Sequence, residues 1–185
     1  MPNDHEIMLA VRAGDLDQLT PLFDRHNRHL YNFFLRMSGN PQDSEDQVQE
    51  VFLRMLRYRH TYRDEGRFET WMFRIARSVR ADAYRKSPPN GPLPVGPALA
   101  DPDPGPEELL LKKSETDLLG RALAMLSDDK REVLLLSRFE NLGFKEIARI
   151  LDSKESAVKV RAHRAVKELG ELIQELTGEN PHEMP

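Results

Sequence analysis

The sequence predicts an all-α protein of two small helical modules joined by a proline-rich linker, with a helix-turn-helix in the second module. Apolar residues recur three or four positions apart along most of the 185 residues, and no useful length of strand-like alternation is present. Ser87–Pro106 interrupts this pattern, because eight of its twenty residues are proline and three are glycine. Since proline disfavours helix at the residue before it, we expect a semi-extended tether that lets the spacing of the modules vary.

Breaks in the helical periodicity divide the chain into a first module at residues 1–86, the linker at 87–106, a second module at 107–177 and a tail at 178–185. Gly39 and Pro41 form one such break, since glycine suits the position after a helix and proline cannot continue one. The helices predicted in the first module are His5–Gly14, Leu16–Met37, Gln42–Arg59 and Phe68–Arg85. Those predicted in the second are Glu107–Leu126, Lys130–Phe139 and the helix-turn-helix pair.

The composition restricts the class of protein. The chain has no cysteine, which excludes disulfides and thiolate metal sites and fits a reducing, cytoplasmic setting. We expect no signal peptide and no membrane insertion, because no apolar run approaches the ~18 residues of a membrane span. The net charge is −4, yet Arg54–Lys86 holds ten basic residues against four acidic, and Lys154–Lys167 holds five against one. Basic patches on a mildly acidic body are typical of a protein that touches DNA only when it is positioned there.

Two short helical patterns meet across a sharp break within Gly143–Leu169. The first has an apolar stripe at Ile147, Ala148 and Leu151, and the second at Val158, Ala162, Ala165 and Leu169. Asp152 and Ser153 precede Glu155 in the break, and such side-chain oxygens accept free N–H groups at helix starts, so we expect a side-chain cap there. Two helices across a turn of about four residues predict a helix-turn-helix. An ordinary solvated helical hairpin is the alternative interpretation.

The second of these helices carries basic residues beside its apolar stripe. Cations neutralise DNA phosphates and the arginine fork bonds base edges, which is what a helix in the major groove needs. The helix-turn-helix extends from Phe144 to His163 and beyond. Its predicted DNA-contacting residues are Ser156, Lys159, Arg161, His163, Arg164 and Lys167.

Three stretches in a fixed order form a more specific signal. They are LYNFFLRMSGNPQDSEDQVQEVFLRMLR from Leu30 to Arg57, FETWMFRIARSVRADAYRK from Phe68 to Lys86, and LSDDKREVLLLSRFENLGFKEIARIL from Leu126 to Leu151. Together with the basic helix they resemble the extracytoplasmic-function (ECF) group of bacterial RNA polymerase sigma factors. The resemblance implies a polymerase-binding helix pair, a helix that melts and reads the −10 element, and a domain that reads the −35 element.

The resemblance also implies partners: core RNA polymerase, promoter DNA and an anti-sigma factor that occludes the polymerase-binding surfaces. Five positions depart from the family pattern. Ser78 stands where many members have asparagine, and Asp152 stands where glycine is frequent. On the recognition helix, the family's usual Gly, Thr and Ser are replaced by Ser156, Ala157 and Val160. The base preferences at the −10 and −35 elements therefore do not follow from the resemblance.

A polar face on the predicted helix 42–59 is the candidate surface for core polymerase. Taken alone, this face suits a solvated surface with a Glu50–Arg54 pair four residues apart, worth only ~0.2–0.5 kcal/mol. With the resemblance, docking on the polymerase becomes the better interpretation. The candidate residues are Asp46, Gln47, Gln49, Glu50, Arg54 and Arg57.

The candidate −10 surface combines aromatic and basic residues, since aromatic faces stack on unpaired bases while arginine follows the backbone. The resemblance places a pocket for a flipped base in the loop Thr61–Arg67. Phe68, next to this loop, is expected to be a core residue instead. The candidate residues are Tyr62, Arg63, Arg67, Trp71, Arg74, Arg77, Ser78 and Arg80.

Two rival classes are weaker. His26 and His29 lie one helical turn apart near Asp24, so a metal site is imaginable. However, the sequence has no H-E-x-x-H, glycine-rich phosphate loop or nucleophile motif, so we expect no catalytic residues, no metal, no cofactor and no small-molecule substrate. A classical dimeric helix-turn-helix regulator is the second alternative. It is weaker because it assigns no function to the aromatic and basic segment 60–86.

Overall fold

The computed structural model describes residues 2–63, 66–86 and 117–178, and within these ranges all regular structure is helical. The first module contains α1 (Asp4–Ala13), α2 (Leu19–Ser38), α3 (Pro41–Arg57) and α4 (Phe68–Lys86). The second contains α5 (residues 117–125), α6 (Asp128–Leu134), α7 (Phe144–Leu151) and α8 (Glu155–Thr177). The predicted linker, the first ten residues of the predicted helix Glu107–Leu126, and residues 179–185 of the predicted tail lie outside the described residues.

Helices α1 and α3 both begin at an asparagine cap. Asn3 Oδ1 accepts the Glu6 N–H at 2.9 Å, and Glu6 Oε2 accepts the Asn3 N–H, which closes a capping box on α1. Asn40 Oδ1 accepts the N–H groups of Gln42 and Asp43 at the start of α3, which has proline at its first helical position. Leu16 belongs to a short 3₁₀ turn, Leu16–Gln18, and is 47% exposed, so the predicted helix Leu16–Met37 begins only at Leu19.

The core of the first module lies where α2, α3 and α4 meet. Phe33 packs edge-on against Phe34 and Phe73, with ring centroids 5.5 and 5.3 Å apart. Met55 and Met72, from α3 and α4, are fully buried. Burial of apolar area at roughly 25 cal/mol per Å² is the main stabilising term here.

The second module differs from its predicted outline at one place. The predicted single helix Lys130–Phe139 is α6 followed by a π-helical turn, Leu135–Phe139. The Glu140 N–H donates to the Leu135 carbonyl at 3.1 Å, which closes this wider turn. Beyond it, Leu142 is buried and Asn141 adopts a left-handed backbone with φ of 51°. The turn thus orients α7 onto the core formed with α6 and α8.

The two modules pack against each other. Helix α4 contacts α7, and α2 contacts α6. The residues at this interface include several of the charged side chains that the sequence assigned to DNA. Among the residues that the structure describes, no helix is both long enough and apolar enough to cross a membrane.

Candidate nucleic-acid and protein-binding surfaces

The helix-turn-helix forms as predicted, but its turn is built differently. Asp152 ends α7 in the left-handed conformation, with φ of 50° and ψ of 52°. The Ser153 N–H donates to the Ala148 carbonyl at 2.9 Å. Helix α8 has Lys154 at its N-cap, without a side-chain cap bond, so the predicted cap by Asp152 or Ser153 is wrong. Aspartate tolerates the left-handed region because its short polar side chain bonds locally, which explains how it stands where the family often has glycine.

Helix α8 buries one apolar stripe and exposes most of its basic residues, together with Val160 and Val166. Val158, Ala162 and Ala165 are buried against the rest of the module. Five of the six predicted DNA-contacting residues are exposed and Arg161 is half-buried; the exposed ones are Ser156, Lys159, His163, Arg164 and Lys167.

Two of the α8 lysines are held by glutamates on their own helix. Lys159 pairs with Glu155 at 2.7 Å, and Lys167 lies 3.6 Å from Glu171. Hydrogen bonding to Lys159 lowers the pKa of the Glu155 carboxyl. Exposed pairs of this kind contribute little, because solvent screens the two charges. The lysines therefore remain available to an external anion such as a phosphate.

The polar face of α3 is largely as predicted. Asp46, Gln49 and Arg57 are exposed, and Glu50 is half-buried. Gln47 is an exception: it is 8% exposed, so its predicted place on the exposed face is wrong. Its Oε1 has no hydrogen-bond partner.

Arg54 links this face of α3 to α4 through hydrogen bonds. Its Nε donates to Glu50 at 2.7 Å, and its Nη1 donates to Asp82 at 2.7 Å and to Ser78 at 3.2 Å. Asp43 and Asp82 join Asp46 and Glu50 along a surface groove between the two helices. Sequence reasoning missed Asp82, although it follows Ser78 by four residues and therefore shares its helix face. The groove presents several carboxylates, which suits a partner helix carrying cations.

Tyr62 is not the exposed stacking residue that the sequence predicted. It is 2% exposed, and its hydroxyl shares a 2.7 Å hydrogen bond with His5 Nδ1 on α1. Trp71 is half-buried with its ring 5.1 Å from that of Tyr62. Phe68 is 2% exposed, which confirms it as a core residue. Trp71 is therefore the aromatic side chain of the predicted −10 set that retains solvent access.

The basic members of the −10 set surround α4. Arg63, Arg67, Arg74, Arg77 and Ser78 are exposed, and Arg80 is half-buried. Three of these arginines contact the second module. Arg80 pairs with Asp128.

Arg67 bridges the modules through several acceptors. It bonds Glu69 on its own module at 3.0 Å, donates to the Asn141 carbonyl at 3.3 Å, and lies 3.6 Å from Glu146. The hydrogen bond that Arg67 donates to Glu69 is the largest cause of a raised pKa of the Arg67 guanidinium. Glu146 also accepts the Gly143 N–H at 2.7 Å, so the same carboxylate stabilises the start of α7.

Arg77 faces a buried carboxylate. Its Nε lies 3.5 Å from Glu132 Oε1, and Glu132 is only 4% exposed. That oxygen has no well-oriented hydrogen bond, so the contact is an ion pair without hydrogen-bond geometry. Burial raises the pKa of Glu132, and the charges of Arg77 and Arg80 oppose the rise.

The histidines proposed as a possible metal site have other contacts. His26 Nε2 lies 2.6 Å from Asp4 Oδ2, and His29 Nδ1 lies 3.3 Å from Glu140 in the second module. Within the described ranges, no group of three or more His, Asp or Glu is arranged to hold a metal ion.

The chain matches two protein families, one in each module: Sigma-70 region 2 over residues 22–87 and Sigma-70, region 4 over residues 116–169. It is 33% identical over 177 residues to the RNA polymerase sigma factor CarQ of Myxococcus xanthus, covering 91% of this chain and 97% of CarQ. It is 30% identical over 163 residues to the ECF RNA polymerase sigma factor SigX of Bacillus subtilis, covering 83% of this chain and 84% of SigX.

The fold also occurs in solved structures of other proteins. The sigma factor RpoE of Bartonella quintana, crystallised with the anti-sigma factor NepR, aligns with a TM-score of 0.69 at 21% identity, over 84% of this chain and 96% of that one. Both family matches are to regions of sigma factors, which are transcription initiation factors. The chain belongs to the ECF group of RNA polymerase sigma factors.

Proposed function

We propose that this sigma factor binds core RNA polymerase and directs promoter-specific initiation, with residues 1–86 contacting polymerase and the −10 element and residues 107–177 reading the −35 element. The observation that carries the proposal is the basic face of α8, with Arg161 and Arg164 beside a buried stripe of Val158 and Ala162. An exposed basic helix following a short helix and a tight turn is the arrangement that docks in a major groove.

Within α8 the side chains divide by chemistry. Arg161 and Arg164 have the forked donors that bond a guanine edge bidentately, so we assign them to base pairs of the −35 element. Lys159 and Lys167 are point charges, so we assign them to phosphates. Ser156 and His163 are exposed on the same helix and complete the contact surface.

The acidic groove between α3 and α4 is the proposed docking site for polymerase. Its carboxylates outnumber its cations: Asp43, Asp46, Glu50, Asp82 and Asp128 line it together with Arg54, Arg80 and Lys86. Gln49 and Arg57 extend the exposed polar face. Arg54 holds the two helices in register through Glu50 and Asp82. Gln47 also lines the groove, although it is only 8% exposed.

For the −10 element, we assign base stacking to Trp71 and backbone contacts to the basic residues around α4. These are Arg63, Arg67, Arg74, Arg77 and Arg80, with Ser78 between them on the exposed surface. Tyr62 has a supporting role, because its buried ring packs against Trp71. Extrusion of a base costs a few kcal/mol, which stacking on Trp71 and contacts with polymerase would offset.

We propose that the protein acts in the cytoplasm, where core polymerase and promoter DNA are both present. The solved structure of RpoE with an anti-sigma factor has the same fold, and we propose that an anti-sigma factor regulates this chain too. We assign no covalent chemistry to it, since the polymerase makes the RNA.

Run-off transcription tests the proposal. Core polymerase with this chain, given a library of promoter sequences, should yield transcripts from a subset that shares one −35 and one −10 motif. Core polymerase alone should not. Equal transcription of the library with and without the chain would contradict the proposed function.

A further inference from the structure

We infer that Val160 is a base-reading residue of α8 that packs against the methyl group of a thymine in the −35 element. The side chains assigned to this element so far act through charge or hydrogen bonds, so none of them reads a methyl group. The inference rests on the proposed function of α8, because it requires this helix to lie in the major groove. It adds an apolar contact to the polar ones.

Val160 lies at the centre of the exposed side of α8. It is 50% exposed although it is apolar. It is two positions from both Val158 and Ala162, which are buried, and at about 100° per residue this places it about 200° around the helix from each of them. The side chain therefore points away from the rest of the module.

The neighbours of Val160 on this side of α8 are residues already assigned to DNA. Ser156 precedes it by four positions, and His163 and Arg164 follow it by three and four, so they share its helix face. All three are exposed. When this face lies in a major groove, base edges that reach His163 or Arg164 also lie close to Val160.

The chemistry of valine restricts the base that it can favour. In the major groove, thymine presents a methyl group that the other three bases lack. Valine has no donor or acceptor, so covering the polar edge of another base leaves that edge without hydrogen bonds, which is unfavourable. Valine also has one strongly preferred χ1 rotamer in a helix, so its methyl groups are already in place before DNA binds. The favourable partner is therefore thymine.

A surface groove beside Val160 has the chemistry of a DNA contact. Ala157 and Val160 supply its apolar part. Among the residues that the structure describes, its charged lining consists of three cations and one carboxylate, from Lys130, Arg161, Arg164 and Asp129. Two small apolar side chains are too few for a protein interface, which buries about 800 Å² on each partner. The excess of cations suits the phosphates on either side of a base.

The helix geometry also predicts where this thymine lies. Val160 and Arg164 are four residues apart, which corresponds to about 6 Å along α8. Successive base pairs are about 3.4 Å apart along the duplex. The thymine that contacts Val160 should therefore lie within about two base pairs of the pair that Arg164 reads.

Removal of single methyl groups from the DNA tests this assignment. Holoenzyme is assembled from core polymerase and the full-length chain, on a promoter selected by run-off transcription. Each thymine of its −35 element, on either strand, is replaced in turn by deoxyuridine, which lacks only the methyl group. Competition binding then gives the relative affinity for each duplex.

The protein variants separate a methyl contact from general packing. Val160→Ala and Val160→Ser both shorten the side chain, and an exposed position on a helix tolerates either residue. Val160→Ile keeps a branched apolar side chain. Val166→Ala is the matched control, since Val166 is 43% exposed on the same helix but lies about 120° around it from Val160.

We expect deoxyuridine at one position to weaken wild-type binding about three- to fivefold, since burial of one methyl group is worth about this factor. Val160→Ile and Val166→Ala should show the same loss at the same position. Val160→Ala and Val160→Ser should bind the thymine and deoxyuridine duplexes almost equally. The sensitive thymine should lie within about two base pairs of the pair at which Arg164→Ala loses discrimination.

An equal deoxyuridine penalty in the wild type and in both shortened variants would overturn the inference. So would wild-type binding that no methyl deletion weakens, or a sensitive thymine far from the pair read by Arg164. Arg164→Ala reports separately on the proposed function. If this variant loses discrimination at a −35 base pair while Val160 shows no coupling to a methyl group, the inference about Val160 alone fails. If the wild type itself does not distinguish −35 sequences, the proposed function of α8 fails.

Discussion

Arg131 and Met37 join the two modules through a buried hydrogen bond: Arg131 Nη1, on α6, donates to the Met37 main-chain oxygen at 2.9 Å. The same guanidinium, only 2% exposed, donates to three carbonyls of the second module, those of Leu123, Ala124 and Leu126. All four acceptors lie near helix C-termini, where carbonyls lack intrahelical partners. One side chain thus satisfies the ends of α2 and α5 together.

We predict that Arg131→Ala lowers the free energy of unfolding by about 3 kcal/mol or more, because it leaves several buried acceptors without donors. Arg131→Lys should have a smaller but clear effect, since lysine keeps the charge and loses the planar fork. Urea unfolding followed by circular dichroism measures both. Arg138→Ala, at an exposed position on the π-helical turn, is the control and should change stability little. Equal stability of Arg131→Ala and Arg138→Ala would contradict the role of the buried guanidinium.

Glu140 should make stability depend on pH. Burial raises its pKa to about 7, while the charge of Arg36 opposes the rise and His29 lies 3.3 Å away. A carboxyl whose pKa is raised on folding favours the folded state most below its unfolded pKa, and this contribution is lost as pH rises through the folded value. We therefore expect the free energy of unfolding to fall between about pH 5 and pH 8, with up to about 3 kcal/mol of the fall due to Glu140.

Glu140→Gln tests this assignment, because the amide cannot ionise. The variant should be more stable than wild type at pH 8 and should show a shallower pH dependence in urea unfolding. Glu132 also has a raised pKa and contributes in the same direction, so the quantity to compare is the difference between wild type and Glu140→Gln at each pH. A difference that is constant from pH 5 to pH 8 would rule out titration of Glu140 in this range.

Reversing two charges on the polar face of α3 should abolish polymerase binding while the fold is retained. Asp46 is exposed and Glu50 half-buried on α3, so Asp46→Arg with Glu50→Arg should retain the helical circular dichroism spectrum and abolish binding to core polymerase. Arg54 keeps Asp82 as a partner in this variant. Glu45→Arg, at an exposed position on the same helix, is the control. Unchanged core affinity of the double variant in a pull-down would place the polymerase contact elsewhere.

The helices and their buried stripes could be predicted from the sequence, because they depend on residues within one or two helical turns of each other. Gly39 and Pro41 predicted the break before α3, and the three-and-four spacing of Val158, Ala162 and Ala165 predicted the buried side of α8. The exposed cations of α8 followed from the same spacing.

The errors concern contacts between residues far apart in sequence. Tyr62 is buried because His5, 57 positions earlier, meets its hydroxyl. The contact between Arg80 and Asp128 spans 48 positions and has no periodic signal. The predicted N-cap at Asp152 is wrong for a different reason. An aspartate between two helices can cap the start of the second helix or end the first in the left-handed conformation, and only the backbone angles distinguish the two.

The most direct test of the account is transcription by reconstituted holoenzyme on promoters with single-base changes in the −35 element, over a range of salt. Arg161→Ala and Arg164→Ala should each lose about 1–3 kcal/mol of discrimination at one base pair, whereas Lys159→Ala should weaken all promoters alike and reduce the salt dependence. If the two arginine variants rank the promoter variants as wild type does, α8 does not read the −35 element and the central claim is contradicted.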